Sequence, residues 1–338
     1  MYVDVALDSI ITYAITVGAS DIHFDPILNG IQVRLRIDGL LTEYMLVDAT
    51  DADMLVNRIK VFSGMDISEK RLPQDGRWEW SVKSYAVTMR VSSLPSLYGE
   101  AIVCRLMGNE GVHKNLLELG MDVELQEKIA ALLKRPYGLI TICGPTGSGK
   151  TATLYAMLRM LNLKETKLIC LEDPVEATIE GAIQIGINEK SGFTFSKGLR
   201  TVLRQDPDSI MIGEIRDSET AQLAVKAALT GHRVITTVHT NTALGVIGRL
   251  VDMGVEPYLL HATLIGSLSQ RLVRRIDSTT HSYQGRLGLF EYLEIPFSDI
   301  DWDHVEQYMF TSLQDSAHLA INSGITTLEE VHRAGILL

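Results

Sequence analysis

The segment GPTGSGKT, residues 144–151, constrains the fold of this 338-residue chain more than any other feature. Its spacing, Gly-x-x-x-x-Gly-Lys-Thr, lies between an apolar run typical of a strand, YGLITIC, and a helical pattern, TATLYAMLRMLN. Glycines allow backbone N–H groups to approach phosphate oxygens, and the N-terminus of the following helix favours negative charge. The segment therefore predicts a nucleotide phosphate site, formed by Gly144, Pro145, Thr146, Gly147, Ser148, Gly149, Lys150, Thr151 and Ala152.

Acidic residues follow two later apolar runs. KLICLE ends at Glu172 within EDPVE, and SIMIG is followed by Glu214. One such residue is often only a solvated loop charge, but the carboxyl ends of parallel strands meet at one edge of a sheet. Because Gly213 precedes Glu214, this strand end carries one carboxylate, and we predict that Glu214 is the base that polarises the attacking water.

The same edge is predicted to hold Mg²⁺. Thr151 would supply a hydroxyl ligand and Lys150 a cation for the β- and γ-phosphates. Glu172 and Asp173 are the predicted carboxylate ligands, and Glu176 completes the acidic group.

A third apolar run, RVITTVHTN, has His232 before its start and His239 at its end. A histidine that borders a strand is usually a packed or capping residue. The position of His239 beside the other two strand ends favours a contact with the γ-phosphate.

The chain divides into two regions with different patterns. Residues 1–107 combine two helical patterns with strand-like alternation, as in IQVRLRIDG and SYAVTMRVSS, and predict a smaller α+β domain. Residues 108–115, GNEGVHKN, are the predicted linker. In residues 116–338, helices alternate with short apolar strands, which predicts an α/β domain with a parallel sheet covered on both faces.

The part after Thr240 is predicted to be mostly helical, including PYLLHATLIGSLSQRLVRR, apart from a hairpin-like piece, GRLGLFEYLEI. Thr326 and Glu329 have the spacing of a capping box at the start of the last helix.

Composition, charge and apolar runs argue against a membrane-spanning, secreted or nucleic-acid-binding protein. Apolar residues make up 46% and charged residues 22%, as in ordinary globular proteins. The net charge of −11 gives no support to a nucleic-acid surface. No apolar stretch approaches the roughly 18 residues of a membrane span, and no secretory signal is visible, so we expect a cytoplasmic protein. Cys104, Cys143 and Cys170 lie in apolar runs and are expected to be reduced core thiols.

The order GPTGSGKT, EDPVE, IMIGEIRD, GHRVITTVHT resembles the Walker A motif, Asp box, Walker B motif and His box of secretion ATPases. These are the hexameric motors of type II secretion and type IV pilus assembly. GASDIHFDP, VRLRIDG, RLPQDGR and LPSLYGEAIVCRL are similar to the second N-terminal domain of that family, and QRLVRR and GRLGLFEYLEI to its C-terminal motifs.

This resemblance implies a RecA-like P-loop motor domain preceded by a PAS-like α+β domain. It also implies ATP and Mg²⁺ as ligands and a homohexamer that docks on a polytopic inner-membrane platform protein at the inner face of the membrane. Pilin-like proteins would be moved indirectly, and no direct contact with nucleic acid is expected.

The resemblance further implies that arginines of the N-terminal domain complete the nucleotide site when this domain moves. Arg77 in RLPQDGR and Arg90 in TMRVSS are the best matches, with Arg71 behind them. A guanidinium that arrives only in the closed state stabilises the charge that develops on the phosphoryl oxygens.

Two differences from the family's pattern indicate which members of the family this chain resembles most. Longer relatives carry an additional N-terminal domain, and the resemblance leads us to expect that this chain begins at the second one. Many assembly motors also hold zinc with two CxxC pairs after QRLVR, but here RRIDSTTHSYQGRLG has no cysteine. His281 alone cannot hold a structural zinc ion, so Mg²⁺ is the only metal expected.

These features look most like the ATPase of Gram-positive competence pseudopili. Retraction motors of type IV pili, which generally lack GRxGxFE, are the second interpretation. An ATP-binding scaffold and a DNA translocase are less favoured alternatives.

Overall fold

The chain forms two units, Met1–Glu110 and Gly111–Leu338. The computed structural model describes residues 3–82, 85–107, 111–296 and 300–338. Part of the predicted linker, residues 108–110, lies outside the described residues, and the rest of it forms turns and irregular chain.

The N-terminal unit contains a six-stranded antiparallel sheet with the strand order β3-β2-β1-β6-β5-β4. Its elements are α1 (Val3–Thr16), β1 (Ala19–Ile27), β2 (Gly30–Ile37), β3 (Leu40–Asp48), α2 (Ala49–Phe62), β4 (Gln74–Val82), β5 (Tyr85–Ser96) and β6 (Gly99–Met107).

Alternation along these strands separates an apolar face from a polar one. Phe24, Val33, Met89 and Ile102 are buried in one core with apolar residues of α1 and α2. The strands predicted from alternation are present, and GASDIHFDP, which was not assigned, forms β1. One face of this sheet is thus covered by helices, while the other carries polar side chains.

The C-terminal unit contains an eight-stranded sheet with the order β14-β13-β12-β7-β11-β10-β8-β9. Its helices are α3 (Val123–Leu133), α4 (Lys150–Leu158), α5 (Phe195–Val202), α6 (Ser218–Leu229), α7 (Gly245–Asp252), α8 (Pro257–Thr263), α9 (Leu313–Asn322) and α10 (Leu328–Arg333). Its strands are β7 (Gly138–Cys143), β8 (Leu168–Glu172), β9 (Ile183–Gly186), β10 (Ser209–Ile212), β11 (Arg233–Val238), β12 (Leu264–Ile276), β13 (Tyr283–Glu294) and β14 (Met309–Thr311).

Six neighbouring strands of this sheet, from β12 to β9, are parallel, and helices cover both of its faces. Successive residues of one strand enter different cores: Leu139 and Val234 pack in one, Ile140 and Ile235 in the other. Burial on both faces explains why these strands are apolar throughout. The predicted α/β class, with a parallel sheet preceded by a smaller α+β region, is confirmed.

One predicted helix is wrong in its second half. PYLLHAT forms α8, but LIGSLSQRLVRRI forms β12, which pairs with β7 on one side and β13 on the other. Leu264, Leu268, Leu272 and Ile276 recur every four residues, which favours a helix locally. Because β12 is nearly all buried, it lacks the alternation that identifies a half-exposed strand.

Two helix starts differ from the prediction, since the pattern of LLELGMDVELQEKIAALLK predicts a helix from residue 116. The chain at 116–121 forms turns, and α3 begins only after Asp122, whose side chain accepts a hydrogen bond from the backbone N–H of Leu125. At the last helix, Thr327 and not Thr326 is the N-cap, and its hydroxyl accepts from the N–H of Glu330.

The three cysteines are free and buried. Within the described residues, no helix is long and apolar enough to cross a membrane.

Candidate active site

Four strand ends of the C-terminal unit meet at one edge of the parallel sheet. β11 lies between β7, which leads into the phosphate loop, and β10, which leads to Glu214. The N–H of Gly213 donates to the carbonyl of Leu171 at 2.8 Å, and the Thr237 hydroxyl donates to the carbonyl of Gly213 at 2.7 Å. These bonds fix the Glu214 backbone between the ends of β8 and β11.

The phosphate loop requires glycine at two positions. Gly144 has φ of 144°, and a Cβ there would lie 2.5 Å from Ser148 Oγ and 2.6 Å from the Gln270 carbonyl oxygen. Gly149 has φ of 86°, and a Cβ there would lie 2.8 Å from Gln270 Nε2. Both backbone conformation and space therefore exclude a side chain.

The start of α4 is suited to an anion. The helix begins at Lys150 after Gly149, and no side chain caps its first N–H groups. Ser148 Oγ is buried and has no hydrogen-bond partner among the described residues. Exposed helical N–H groups and an unsatisfied hydroxyl are the donors that a phosphate would satisfy.

Lys150 folds back over the loop. Its Nζ donates to the carbonyl oxygens of Gly144 and Pro145, at 2.9 Å each. Burial lowers the pKa of Lys150, while Cys143 and the Glu214 carboxylate act in the opposite direction. The ammonium group is therefore held inside the loop, within electrostatic range of Glu214.

Glu214 is the centre of a charged cluster. Arg216 Nη2 donates to its Oε1 at 2.6 Å, and His239 Nε2 lies 3.5 Å from its Oε2. The Glu214 side chain is 18% exposed. Gly213 lies so close to β8 that a Cβ would be 3.2 Å from the Leu171 carbonyl oxygen. This contact accounts for the single carboxylate at the end of β10.

Arg216 was not identified from the sequence. The hydrogen bond with Glu214 raises the pKa of Arg216, and Asp173 and Glu189 add smaller electrostatic contributions. Its position two residues after Glu214, just past the end of a strand, was the available signal.

Glu172 is a buried acceptor at the end of β8. The Tyr155 hydroxyl donates to its Oε2, and Gln184 Nε2 donates to its Oε1 at 2.9 Å. Tyr155 Oη also accepts from the N–H groups of Glu176 and Ala177, at 3.2 and 3.3 Å. Burial raises the pKa of Glu172, and the two donated hydrogen bonds oppose this. Tyr155 on α4 thus ties the phosphate-binding helix to the acidic loop.

The predicted magnesium ligands have different surroundings. Thr151 is half-buried on the first turn of α4, and Asp173 and Glu176 are exposed, whereas both oxygens of Glu172 already accept hydrogen bonds. Mg²⁺ that is bound chiefly by phosphates and water needs only one or two protein ligands. Thr151 and Asp173 have the required oxygen chemistry, and the ligand set stays a prediction.

Across residues 3–82, 85–107, 111–296 and 300–338, no group of three or more His, Cys, Asp or Glu side chains could hold a metal ion. His281 is exposed, in a turn between β12 and β13.

His232 does not lie at this edge, so its position gives no support to the prediction, drawn from the His box of the resemblance, that it contributes to nucleotide binding. Residue 232 precedes β11, whose first residue, Arg233, is paired with Gly138 at the start of β7. The six residues of β11 span about 20 Å, which separates His232 from His239. The His232 ring instead lies 3.0 Å from the carbonyl oxygen of Ala227 at the end of α6.

The predicted arginines of the N-terminal unit lie on the polar face of its sheet. Arg77 pairs with Arg90 across β4 and β5, and Arg90 pairs with Arg105 across β5 and β6. All three are exposed and belong to one row on one face. Arg105, which lies in the family-like segment LPSLYGEAIVCRL but was not predicted to contact the nucleotide, also forms an ion pair of 2.8 Å with Asp21. Arg71 lies outside the strands, in the chain before β4, and pairs with Glu69 at 3.1 Å.

The C-terminal motifs hold the loop that follows His239. Arg271 Nη2 donates to the carbonyl of Asn241 at 2.8 Å, and the N–H of Ala243 donates to Glu291 Oε1 at 2.5 Å. QRLVRR and GRLGLFEYLEI therefore hold in place the loop that leaves the carboxyl end of β11.

Comparison with known proteins is consistent with this geometry. Pilus retraction motor PilT with bound ADP has a TM-score of 0.68 and 29% identity, with 96% of this chain and 95% of that chain covered. The Legionella pneumophila ATPase DotB has a TM-score of 0.77 over 97% and 95% of the two chains, and at 23% identity it shows the shared fold alone.

Two curated relatives are more similar in sequence. Type II secretion system protein E of Klebsiella pneumoniae is 49% identical over 270 residues, which are 80% of this chain and 54% of the relative. Type II secretion system ATPase E of Vibrio cholerae is 40% identical over 372 residues, covering 97% of this chain and 74% of the relative. The chain thus spans about half the length of the first of these relatives.

The family profile described as type II/IV secretion system protein matches residues 2–333, nearly the whole chain. The chain therefore belongs to the type II/IV secretion system protein family.

Proposed function

We propose that this chain hydrolyses ATP with Mg²⁺ and converts the energy into movement within a secretion or pilus-type machine. The observation that carries this proposal is the convergence of three groups at one sheet edge. They are the glycine loop with Lys150, the buried Glu172 with its acidic loop, and Glu214 with His239 only 3.5 Å away.

Each residue has a role that its surroundings support. The loop and the first turn of α4 bind the phosphates, and Lys150 exchanges its carbonyl partners for phosphate oxygens. Glu214 orients and polarises the attacking water, and His239 contacts the γ-phosphate. Mg²⁺, held by Thr151 and Asp173, would neutralise charge on the phosphates. Glu172 fixes the acidic loop through Tyr155 and Gln184.

Mechanical coupling is proposed to come from the arginine row of the N-terminal unit. Arg77 and Arg90 would reach the phosphates only in a closed arrangement, so that hydrolysis depends on domain movement. Arg71 is a further candidate. Such coupling suits a ring of identical subunits, and we propose a homohexamer.

The pathway we favour is assembly of a competence-type pseudopilus or a type II secretion pseudopilus. Relatives named type II secretion system protein E support assembly, as does GRLGLFE, in which Glu291 holds the loop after His239. The ring would act at the inner face of the membrane on a polytopic platform protein and move pilin-like proteins indirectly. Retraction is the second candidate, because the chain is 29% identical to PilT over 96% of its length.

A phosphate-release assay on the purified chain tests the enzymatic part. We expect turnover that requires both ATP and Mg²⁺ and is lost in Lys150→Ala. ATP binding without phosphate release would favour a scaffold. Stimulation of turnover by DNA, with salt-sensitive DNA binding, would favour a translocase.

Deletion of the gene tests the pathway. DNA uptake, enzyme secretion and twitching are scored in one strain, and complementation with Lys150→Ala serves as the matched control. Loss of uptake or secretion supports assembly, whereas hyperpiliation with loss of twitching supports retraction.

A further inference from the structure

Gln270, in the motif QRLVRR, is a buried polar residue to which the proposed mechanism gives no role. It lies on β12, the strand that neighbours β7 in the sheet, and its residue exposure is 0%. β12 and β7 run parallel, with Ser269 paired to Cys143. The next residues along the chain are therefore Gln270 on β12 and Gly144 just after β7. Gln270 thus reaches the phosphate loop where the loop leaves the sheet.

Three parts of Gln270 approach the phosphate loop or its helix. Its carbonyl oxygen fills the space that a Cβ of Gly144 would need, at 2.6 Å. Its side-chain Nε2 occupies the corresponding space beside Gly149, at 2.8 Å. Its Oε1 accepts a hydrogen bond of 2.6 Å from the Thr153 hydroxyl on α4. The amide is therefore oriented by Thr153, with its NH₂ group beside the last glycine of the loop.

That NH₂ group is an unsatisfied donor. Gln270 Nε2 is buried and has no hydrogen-bond partner among the described residues, as is also true of Ser148 Oγ in the same loop. Buried polar groups are nearly always paired, and an unpaired one needs an explanation such as a missing ligand. Two unpaired groups around one anion-binding loop have a common explanation in a bound phosphate.

We propose that Gln270 is a nucleotide-binding residue whose Nε2 donates a hydrogen bond to the phosphate bound in the loop, while Thr153 orients its amide. This inference rests on the proposed function in one respect, because it assumes that the ligand of the loop is a nucleoside polyphosphate. It assigns to QRLVRR a part in ligand binding in addition to its place in the sheet.

The test is the dissociation constant for a fluorescent ATP analogue, measured on the full chain with Mg²⁺, with the melting temperature measured without nucleotide. Gln270→Glu keeps the acceptor for Thr153 and the side-chain length but replaces the donor with a negative oxygen. We expect at least a hundredfold weaker binding. Gln270→Met removes the donor without adding charge and should weaken binding about tenfold, as expected for one hydrogen bond to a charged group.

Two control variants distinguish a direct contact of Gln270 with the ligand from a purely structural role of Gln270 beside the loop. Thr153→Val removes only the hydrogen bond that orients the amide and should weaken binding by less than threefold. Gln314→Glu, at an exposed position of α9, adds the same charge elsewhere and should leave the dissociation constant unchanged.

The inference is overturned if folded Gln270→Glu has a dissociation constant for the ATP analogue within threefold of that of wild type. It is also overturned if Thr153→Val weakens binding of the analogue as much as Gln270→Met does. If Gln270→Glu does not fold, the Gln270→Met and Thr153→Val comparison decides. A wild-type chain that binds ATP without hydrolysing it contradicts the proposed function alone. Failure of the wild-type chain to bind ATP contradicts both.

Discussion

The two sheets of this chain expose their functional groups in different ways. The antiparallel sheet of the N-terminal unit has one face covered by α1 and α2, and its other face presents Arg77, Arg90 and Arg105 in one row. The parallel sheet of the C-terminal unit is covered on both faces, so its functional groups lie only at the edge where the strands end.

We propose that this difference corresponds to two kinds of contribution to ATP hydrolysis. At the sheet edge, hydrogen bonds of Gly213 with Leu171 and Thr237 fix the Glu214 backbone between neighbouring strand ends. Lys150 Nζ is held by two carbonyl oxygens of the phosphate loop. An open face instead presents long, flexible side chains that can bind or leave a partner surface without any change in their own fold. We assign ligand binding and chemistry to the edge, and conditional charge stabilisation to the face.

The largest effect that separates the two regions is expected for Arg90→Ala. If the arginine row stabilises only the transition state, kcat should fall about a hundredfold while ATP affinity changes by less than threefold. Steady-state phosphate release and equilibrium ATP binding measure the two quantities.

Arg58→Ala is the matched control for Arg90→Ala. Arg58 is on α2 and pairs with Asp4 at 2.6 Å, on the helix-covered side of the same unit. Equal losses of kcat in both variants would show that the arginine face has no special role.

A smaller effect is expected for Tyr155→Phe, which tests the fixed edge. The change removes the hydroxyl that joins α4, Glu172 and the N–H groups of Glu176 and Ala177. We expect kcat to fall about tenfold, with the dissociation constant for ATP within twofold, because the glycine loop and Lys150 are untouched.

Tyr258→Phe, on α8 with 67% exposure, is the control for removal of a tyrosine hydroxyl. If Tyr155→Phe instead weakens ATP binding as much as it slows turnover, the acidic loop contributes to binding and its assigned role is wrong.

The smallest effect on turnover is expected for Glu330→Gln, which tests stability outside the site. Burial alone would raise the pKa of Glu330, but hydrogen bonds from Arg274 and Arg333 outweigh it and lower this pKa from 4.5 to about 2. The bonds from Arg274 link α10 to β12, and those from Arg333 lie within α10. We expect the substitution to lower the free energy of unfolding by about 2 kcal/mol and to leave kcat unchanged.

The pH dependence of this contribution has a definite sign. Because the pKa of Glu330 is lowered on folding, its stabilisation is complete above about pH 4.5 and is lost as the pH falls towards 2. Denaturant unfolding of both proteins at pH 7 and pH 3 measures it. A difference in stability that does not shrink at pH 3 would contradict the assignment.

The sequence predicts much of the difference between the two sheets, because the pattern of apolar residues along a strand reflects whether one or both of its faces are buried. Alternation predicted the half-buried strands of the N-terminal unit, and continuous apolar runs separated by helices predicted the parallel sheet. The positions of Lys150, Glu214 and His239 at strand ends then followed from topology.

Other features depend on contacts that sequence spacing does not encode. β12 was predicted as a helix because its apolar residues have helical spacing, and only pairing with β7 and β13 makes it a strand. The contacts of Arg216 with Glu214 and of Gln270 with the glycine loop likewise depend on tertiary structure. His232 was placed correctly before the start of β11, and its assignment to the nucleotide rested on the resemblance alone, which does not show that the two histidines lie at opposite ends of one strand.

The measurement that tests the central assignment most directly compares ATP binding with ATP turnover in Glu214→Gln. The amide keeps the size of the side chain but cannot polarise water as the carboxylate does. We expect the dissociation constant for ATP to stay within threefold of wild type while phosphate release falls at least a hundredfold. Full turnover in this variant would contradict the assignment of Glu214 as the base.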